Sequence, residues 1–175
     1  KDTLCSYYTN SEDITAYMVK MLQLKGGEKI LEPSVGEGIF IDAILKTNKK
    51  VEIDAVDINH DAIKVLRKKF EGVKNIHIRE TDTLLDDKLD EICGRGGEYD
   101  CVIGNPPYGA WQEPEKRALL KKKYLGHYVK ETYTLFLLRC FSALKQGGKL
   151  SFIIPDTFLF LNMHEKLRKV LLTNS

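Results

Sequence analysis

Five short apolar runs alternate with segments whose apolar residues recur at helical spacing. Lys29-Ile30-Leu31, Val51 to Val56, Ile76-His77-Ile78, Tyr99 to Ile103 and Leu150 to Pro155 read as strands. They are rich in β-branched residues, and most are followed closely by Gly, Pro, Asp or Asn. The first helix spans Asn10 to Gln23, with Asn10 or Ser11 as cap, Glu12 and Asp13 at its positive end, and Ile14, Tyr17, Met18, Met21 and Leu22 on one face. Ile39, Phe40, Ala43, Ile44 and Leu45 mark a second helix, and Asp61 to Phe70 a third. A short helix runs through Leu84, Leu85, Leu89 and Ile92, and Glu113-Pro114-Glu115 opens another, with proline in its first turn. Tyr133 to Leu144 is the most apolar helix, stopped by Gln146-Gly147-Gly148, and a last one covers about His164 to Leu172. Strand and helix alternate five times, which predicts an α/β fold: a doubly wound, mostly parallel sheet covered on both faces.

Composition narrows the picture. At 175 residues the chain has room for one domain with a real core, and 43% apolar with 30% charged residues describes a globular protein. No run approaches the ~20 apolar residues of a membrane span, and Lys1-Asp2-Thr3-Leu4 is not a signal peptide, so a cytoplasmic protein is expected. Cys5, Cys93, Cys101 and Cys140 are scattered, and the four histidines lack ligand spacing, so no metal site is expected. A net charge of +2 does not by itself argue for nucleic acid.

Candidate chemistry gathers where strands end. Asn105-Pro106-Pro107-Tyr108 leaves the Tyr99 to Ile103 strand as a stiff arm, because each proline fixes φ and lacks an N–H. It carries an amide, two carbonyls without donors beside them, and an aromatic ring; that suits a flat, amino-bearing ring, though a simple proline-stiffened turn has the same ingredients. Glu32-Pro33-Ser34-Val35-Gly36-Glu37-Gly38 follows the first strand and opens a helix. Its two glycines permit a tight turn and close approach of a ligand, but the dinucleotide pattern is broken at Ile41, and Glu32 would repel a pyrophosphate. A carboxylate there suits a positively charged ligand. Asp57 ends the second strand 19 residues past Gly38, near the spacing of a ribose-binding acid, and is favoured in that role over a helix cap because Asn59 can cap. Asp82 stands equally between a ligand role and a cap. Between Trp111 and Lys130, Lys116, Arg117, Lys121, Lys122, Lys123 and Lys130 read first as a solvated helix face, and second as a phosphate-facing loop with Trp111, Tyr124 and Tyr128 interleaved.

The order of these motifs, over nearly the whole chain, resembles the S-adenosylmethionine-dependent amino-methyltransferases, and among them the N6-adenine DNA methyltransferases of restriction–modification systems. The Tyr8-Thr9 segment ahead of the glycine loop resembles their gamma arrangement. The resemblance implies a Rossmann-like class I methyltransferase core spanning residues 1–175 as one domain. Thr9, Glu32, Ser34, Gly36 and Gly38 would surround the methionine part of the cofactor. Asp57 would hold the ribose, Ile58 would line the adenine, Asp82 and Thr83 would read its edge, and Phe136 would place a ring against it. Asn105, Pro106, Pro107 and Tyr108 would be catalytic. The Asn105 side-chain oxygen and the Pro106 carbonyl would accept both N6 hydrogens and localise the nitrogen lone pair, and Tyr108 would stack on an adenine flipped out of DNA. The sulfonium is already a good leaving group, so neither metal nor covalent intermediate is called for.

Other classes share parts of the pattern. Release-factor glutamine methyltransferases also carry Asn-Pro-Pro-Tyr, but usually with a different glycine loop and no Tyr-Tyr-Thr lead-in. RNA adenine methyltransferases are hard to separate on sequence, and a cofactor- or partner-binding piece without activity is a further alternative. Members of the DNA family continue past the fifth strand, so the core is expected to be incomplete at its C-terminal end. Double-stranded DNA recognition would then require an absent target-recognition domain, and the sheet edge would be left open.

Overall fold

Ile30 and Leu31 are neighbours at the centre of the sheet, yet each is fully buried in a different layer, and that alternation organises the chain. The computed structural model describes residues 11–109, 113–128 and 130–173. The expectations placed on Tyr8, Thr9, Asn10 and Trp111 lie outside the described residues.

Five parallel strands form one sheet: β1 (Lys29–Glu32), β2 (Glu52–Asp57), β3 (Ile76–Glu80), β4 (Tyr99–Gly104) and β5 (Leu144–Phe152), in the order β3-β2-β1-β4-β5. Ile30 pairs with Ile53 on one side and Cys101 on the other. Above the sheet, Ile30, Ile53, Ala55, Cys101 and Ile103 pack against α1 (Glu12–Leu22), α2 (Ile39–Leu45) and α3 (His60–Lys69). Below it, Leu31, Val56 and Val102 meet α4 (Asp87–Gly94) and α6 (Thr132–Ala143). Each fully buried Ile or Leu contributes about 1.5–3 kcal/mol relative to exposure, so the central strands carry much of the stability. α5 (Pro114–Lys123) lies between β4 and α6, and α7 (Glu165–Thr173) ends the described chain after two short 3-10 turns. No described helix is long and apolar enough to cross a membrane.

Four details differ from the sequence expectations. In α1 the buried side is Thr15, Met18, Val19 and Leu22, while Ile14, Tyr17 and Met21 are exposed; burial against α2 turns the helix relative to its widest apolar stripe. α4 begins only at Asp87, because Asp86 caps it by accepting from the Lys88 amide, and Leu84-Leu85 belong to the preceding turn. β5 runs from Leu144 to Phe152, and Gln146-Gly147-Gly148 falls within an irregular stretch of that strand, α6 having already ended at Ala143. Tyr124 is buried, so it is no open stacking platform beside the lysines.

Candidate active site

The chain steps outward from β1 to β2 to β3, then returns to the other side of β1 as β4. The crevice above the carboxyl ends of β1 and β4 is therefore the topological switch point, where doubly wound sheets bind ligands. Hydrogen bonds tie the rim loops together across it. The Ser34 hydroxyl donates to the Asn105 carbonyl at 3.0 Å, joining the β1 and β4 loops. The Gly36 amide donates to Asp57 Oδ2 at 2.7 Å, joining β1 to β2. The Thr83 hydroxyl donates to the Pro33 carbonyl, joining β3 to β1.

At the end of β1, Glu32 is completely buried, and among the described residues neither carboxyl oxygen has a hydrogen-bond partner. Burial, reinforced by the charges of Asp57 and Asp42, pushes its carboxyl well above the ordinary value, against the opposing pull of Lys69. Next to it the glycine turn takes positive φ at Gly36 (51°) and Gly38 (80°). The two glycines serve different ends. A Cβ on Gly36 would meet open space, whereas one on Gly38 would lie 2.6 Å from Leu66 Cδ2, so Gly38 lets α2 start tight against α3. Because the Gly36 amide is already taken by Asp57, the turn is a poor anion cradle, in keeping with the acidic lining.

Asp57 holds the Gly36 amide on one oxygen and the Asn59 amide, at 2.9 Å, on the other. Asn59 caps α3 by accepting from Asp61 and Ala62, which removes the capping alternative for Asp57. Ile58 beside it is 42% exposed, an apolar surface at the rim. Asp82 accepts from the Leu84 amide at 3.0 Å and pairs with Lys116 at 2.5 Å, so Lys116 on α5 is turned inward, away from the solvated face expected of it. Thr83 is 2% exposed with its hydroxyl on Pro33. Phe136 is 4% exposed, in an apolar cluster with Leu84, Leu120, Tyr124 and Leu135 beneath the Asp82 loop.

After β4, Pro106 is buried, while Asn105, Pro107 and Tyr108 are half-buried. The Tyr108 hydroxyl lies 2.6 Å from Asn105 Oδ1 and 2.9 Å from the Ile153 carbonyl, which act as its acceptors. Burial pushes the Tyr108 hydroxyl pKa up, so it remains a donor. The ring meets Tyr133 edge-on at 6.1 Å. Asn105 is thus fixed at its backbone by Ser34 and at its side chain by Tyr108.

Sequence reasoning missed Arg139. It is 5% exposed in the apolar helix α6 and reaches the rim loop after β3, donating to the carbonyls of Thr83 at 3.3 Å and Asp86 at 2.5 Å. A single cation inside Leu135-Phe136-Leu137-Leu138-Arg139-Cys140-Phe141 was the available signal, since a charge is buried only where it finds partners.

The chain matches the family model described as Eco57I restriction-modification methylase over residues 9–175. It is 29% identical over 184 residues to the type II methyltransferase M.HincII of Haemophilus influenzae, covering 99% of this chain and 32% of that protein. It is 30% identical over 135 residues to M.AccI of Acinetobacter calcoaceticus, covering 74% of this chain and 24% of that protein. The chain spans about a third or less of the length of these curated relatives. Among solved structures, a SAM-dependent O-methyltransferase from Thermotoga maritima superimposes with a TM-score of 0.61 at 15% identity, covering 94% of this chain and 52% of that one. A precorrin-6y C5,15-methyltransferase from Geobacter metallireducens gives 0.60 at 14%, covering 95% and 72%. Both share the Rossmann-like methyltransferase fold with this chain.

Proposed function

Because the chain belongs to the Eco57I restriction-modification methylase family, we propose that its rim binds S-adenosylmethionine and methylates the exocyclic N6 amine of an adenine flipped out of double-stranded DNA. The observation that carries the reading is Asn105: an amide at the switch point, followed by two prolines and tied to Ser34 and Tyr108.

The residues present fit that cofactor. Glu32 offers a buried carboxyl group without a donor among the described residues, and a cationic ammonium or sulfonium group beside it would favour its ionised form, whereas a phosphate would oppose it. We assign Ser34, Gly36 and Gly38, with Thr9, to the methionine end, Asp57 to the ribose, and Ile58, Asp82, Thr83 and Phe136 to the adenine. When bound, S-adenosylmethionine supplies a methyl group on a sulfonium that departs as a thioether.

The chain itself supplies orientation. An adenine amine is a weak nucleophile because its lone pair is delocalised into the ring. The Asn105 side-chain oxygen and the Pro106 carbonyl are both acceptors, and the residue after Pro106 is again proline, with no N–H of its own. Two rigid acceptors on the amine hydrogens localise the nitrogen lone pair without reorganisation in the transition state. The Tyr108 ring, half-buried and braced by Tyr133, gives the extruded base a face to stack on. Arg117, Lys121 and Lys122 remain exposed on α5, soon after the catalytic segment, and supply positive charge for a phosphate backbone. We assign base-sequence recognition to parts of the protein outside this core.

The test pairs calorimetry with product identification in the full chain. S-adenosylmethionine is expected to bind saturably and to weaken by about 1–3 kcal/mol in Asp57→Ala, the loss of a charged acceptor. Labelled methyl is expected in N6-methyladenine after digestion of double-stranded DNA, and Asn105→Ala is expected to lower the rate about 10²–10³-fold. Label appearing in RNA or in a glutamine side chain instead would overturn the DNA assignment, and absence of cofactor binding would overturn the site.

A further inference from the structure

The loop from Asp82 to Asp86, between β3 and α4, is held from outside. Its carbonyls meet donors from the neighbouring helices: Thr83 O accepts from Arg139 Nε at 3.3 Å, Leu84 O from the Tyr124 hydroxyl at 2.9 Å, and Asp86 O from Arg139 Nη2 at 2.5 Å. Arg139 Nη1 pairs with Asp90, which Lys123 also holds. Arg139 and Tyr124 are 5% and 8% exposed. Burying a guanidinium is costly, and an apolar side chain on α6 would fill the same space without that cost. The planar fork does what an apolar side chain cannot: it satisfies two carbonyls of one turn at once and fixes their separation. At the front of that turn stands Asp82, and the Thr83 hydroxyl binds the turn to Pro33.

We propose that Arg139, assisted by Tyr124, is a positioning residue for cofactor recognition, setting the backbone of loop 82–86 so that Asp82 meets the 6-amino edge of the cofactor's adenine. The proposal rests on the assignment of Asp82 to that edge. Arg139 acts through the loop and touches no reacting group. Its removal therefore alters which purine is accepted, while the Asn105 segment after β4 keeps its own bonds from Ser34 and Tyr108.

The experiment compares the full wild-type chain with Arg139→Met, Arg139→Lys and Tyr124→Phe. Affinities are measured by calorimetry for S-adenosylhomocysteine and for its inosine counterpart, which carries a 6-oxo group in place of the amine. KM for S-adenosylmethionine, kcat and thermal melting are read in parallel. Wild type is expected to prefer the adenine compound, because a carboxylate rejects a 6-oxo group. In Arg139→Met the adenine compound is expected to lose about tenfold in affinity while the 6-oxo compound changes little, so the preference collapses. KM is expected to rise with kcat largely kept, Arg139→Lys to recover part of the preference, and Tyr124→Phe to move it less in the same direction. A variant that melts lower but keeps the wild-type preference and KM would make Arg139 a core residue only, and overturn the proposal. Should Arg139→Met not fold, Tyr124→Phe, which loses a single hydroxyl, decides: an unchanged preference there overturns it too. A wild type that binds S-adenosylhomocysteine without any preference overturns the Asp82 assignment, and a wild type that binds neither compound overturns the cofactor reading itself.

Discussion

Glu32 carries two buried oxygens that find no donor among the described residues, and the surrounding charges are mostly of its own sign. Burial, then Asp57 and Asp42, raise its folded-state pKa well above the ordinary value of 4.5. In the unfolded chain the carboxyl ionises near that ordinary value, so above it the native state holds a proton that the unfolded state has released. Stability from Glu32 is therefore full below the unfolded pKa and falls as pH rises toward the folded pKa, by at most about 1.4 kcal/mol per pH unit. Glu32→Gln cannot ionise, so thermal melts of the free variant from pH 5 to 8 are expected to be flatter and higher at the alkaline end. On the proposed reading, in which a bound ammonium draws Glu32 into its ionised form, the same variant is expected to bind S-adenosylmethionine more weakly, having lost the group that can ionise. Parallel pH slopes for wild type and variant would show that Glu32 ionises freely in the folded chain.

The β1–α2 turn shows how one element serves two purposes with two glycines. Gly36 and Gly38 both take positive φ, which costs another residue roughly 1–2 kcal/mol. Only Gly38 adds a collision, with Leu66 of α3. Gly38→Ala is expected to destabilise by at least about 1 kcal/mol more than Gly36→Ala, since Leu66 must leave a packed position. Urea unfolding of both variants measures it, and equal losses would mean that α3 yields freely. Elements like this one were legible in the chain: β1, β2 and β4 from their buried β-branched runs, the turn from its glycines, and the Asn105 segment from its prolines. What stayed illegible depended on partners distant in sequence. α4 starts late because the loop before it is pinned by Tyr124 and Arg139. β5 starts early because Leu144 pairs with Tyr99, a contact no local pattern announces. Lys116 has the sequence pattern of a solvated cation, and only the fold sets Asp82 opposite it. Asp57 and Asn105 could be picked out by position, but the bonds that fix them, from Gly36, Ser34 and Tyr108, became visible only with the fold.

Across the whole molecule, burial falls from the centre of the sheet toward its β5 edge. In β1, three of four residues are buried, whereas β5 is exposed or half-exposed at every position after Leu144. Backbone opening should follow that gradient, because local unfolding begins where few apolar contacts are lost. Hydrogen exchange read by mass spectrometry is expected to place β1, β2 and β4 in the slowest class, exchanging only through global unfolding. β5 and α7 are expected to exchange earlier. Adding S-adenosylhomocysteine is expected to slow exchange in three places together, at residues 34–38, 57–59 and 82–86, because the Gly36 bond to Asp57 and the Thr83 bond to Pro33 tie those loops into one network around β1. A ligand stabilises only the openings that break its site, so β5 and α7 should keep their rates when the ligand is added. Protection confined to a single loop would mean that the bonds across the switch point do not couple the rim. Uniform protection, with β5 slowed as much as β1, would mean that the chain opens only as a whole, and the edge would then be no weaker than the centre.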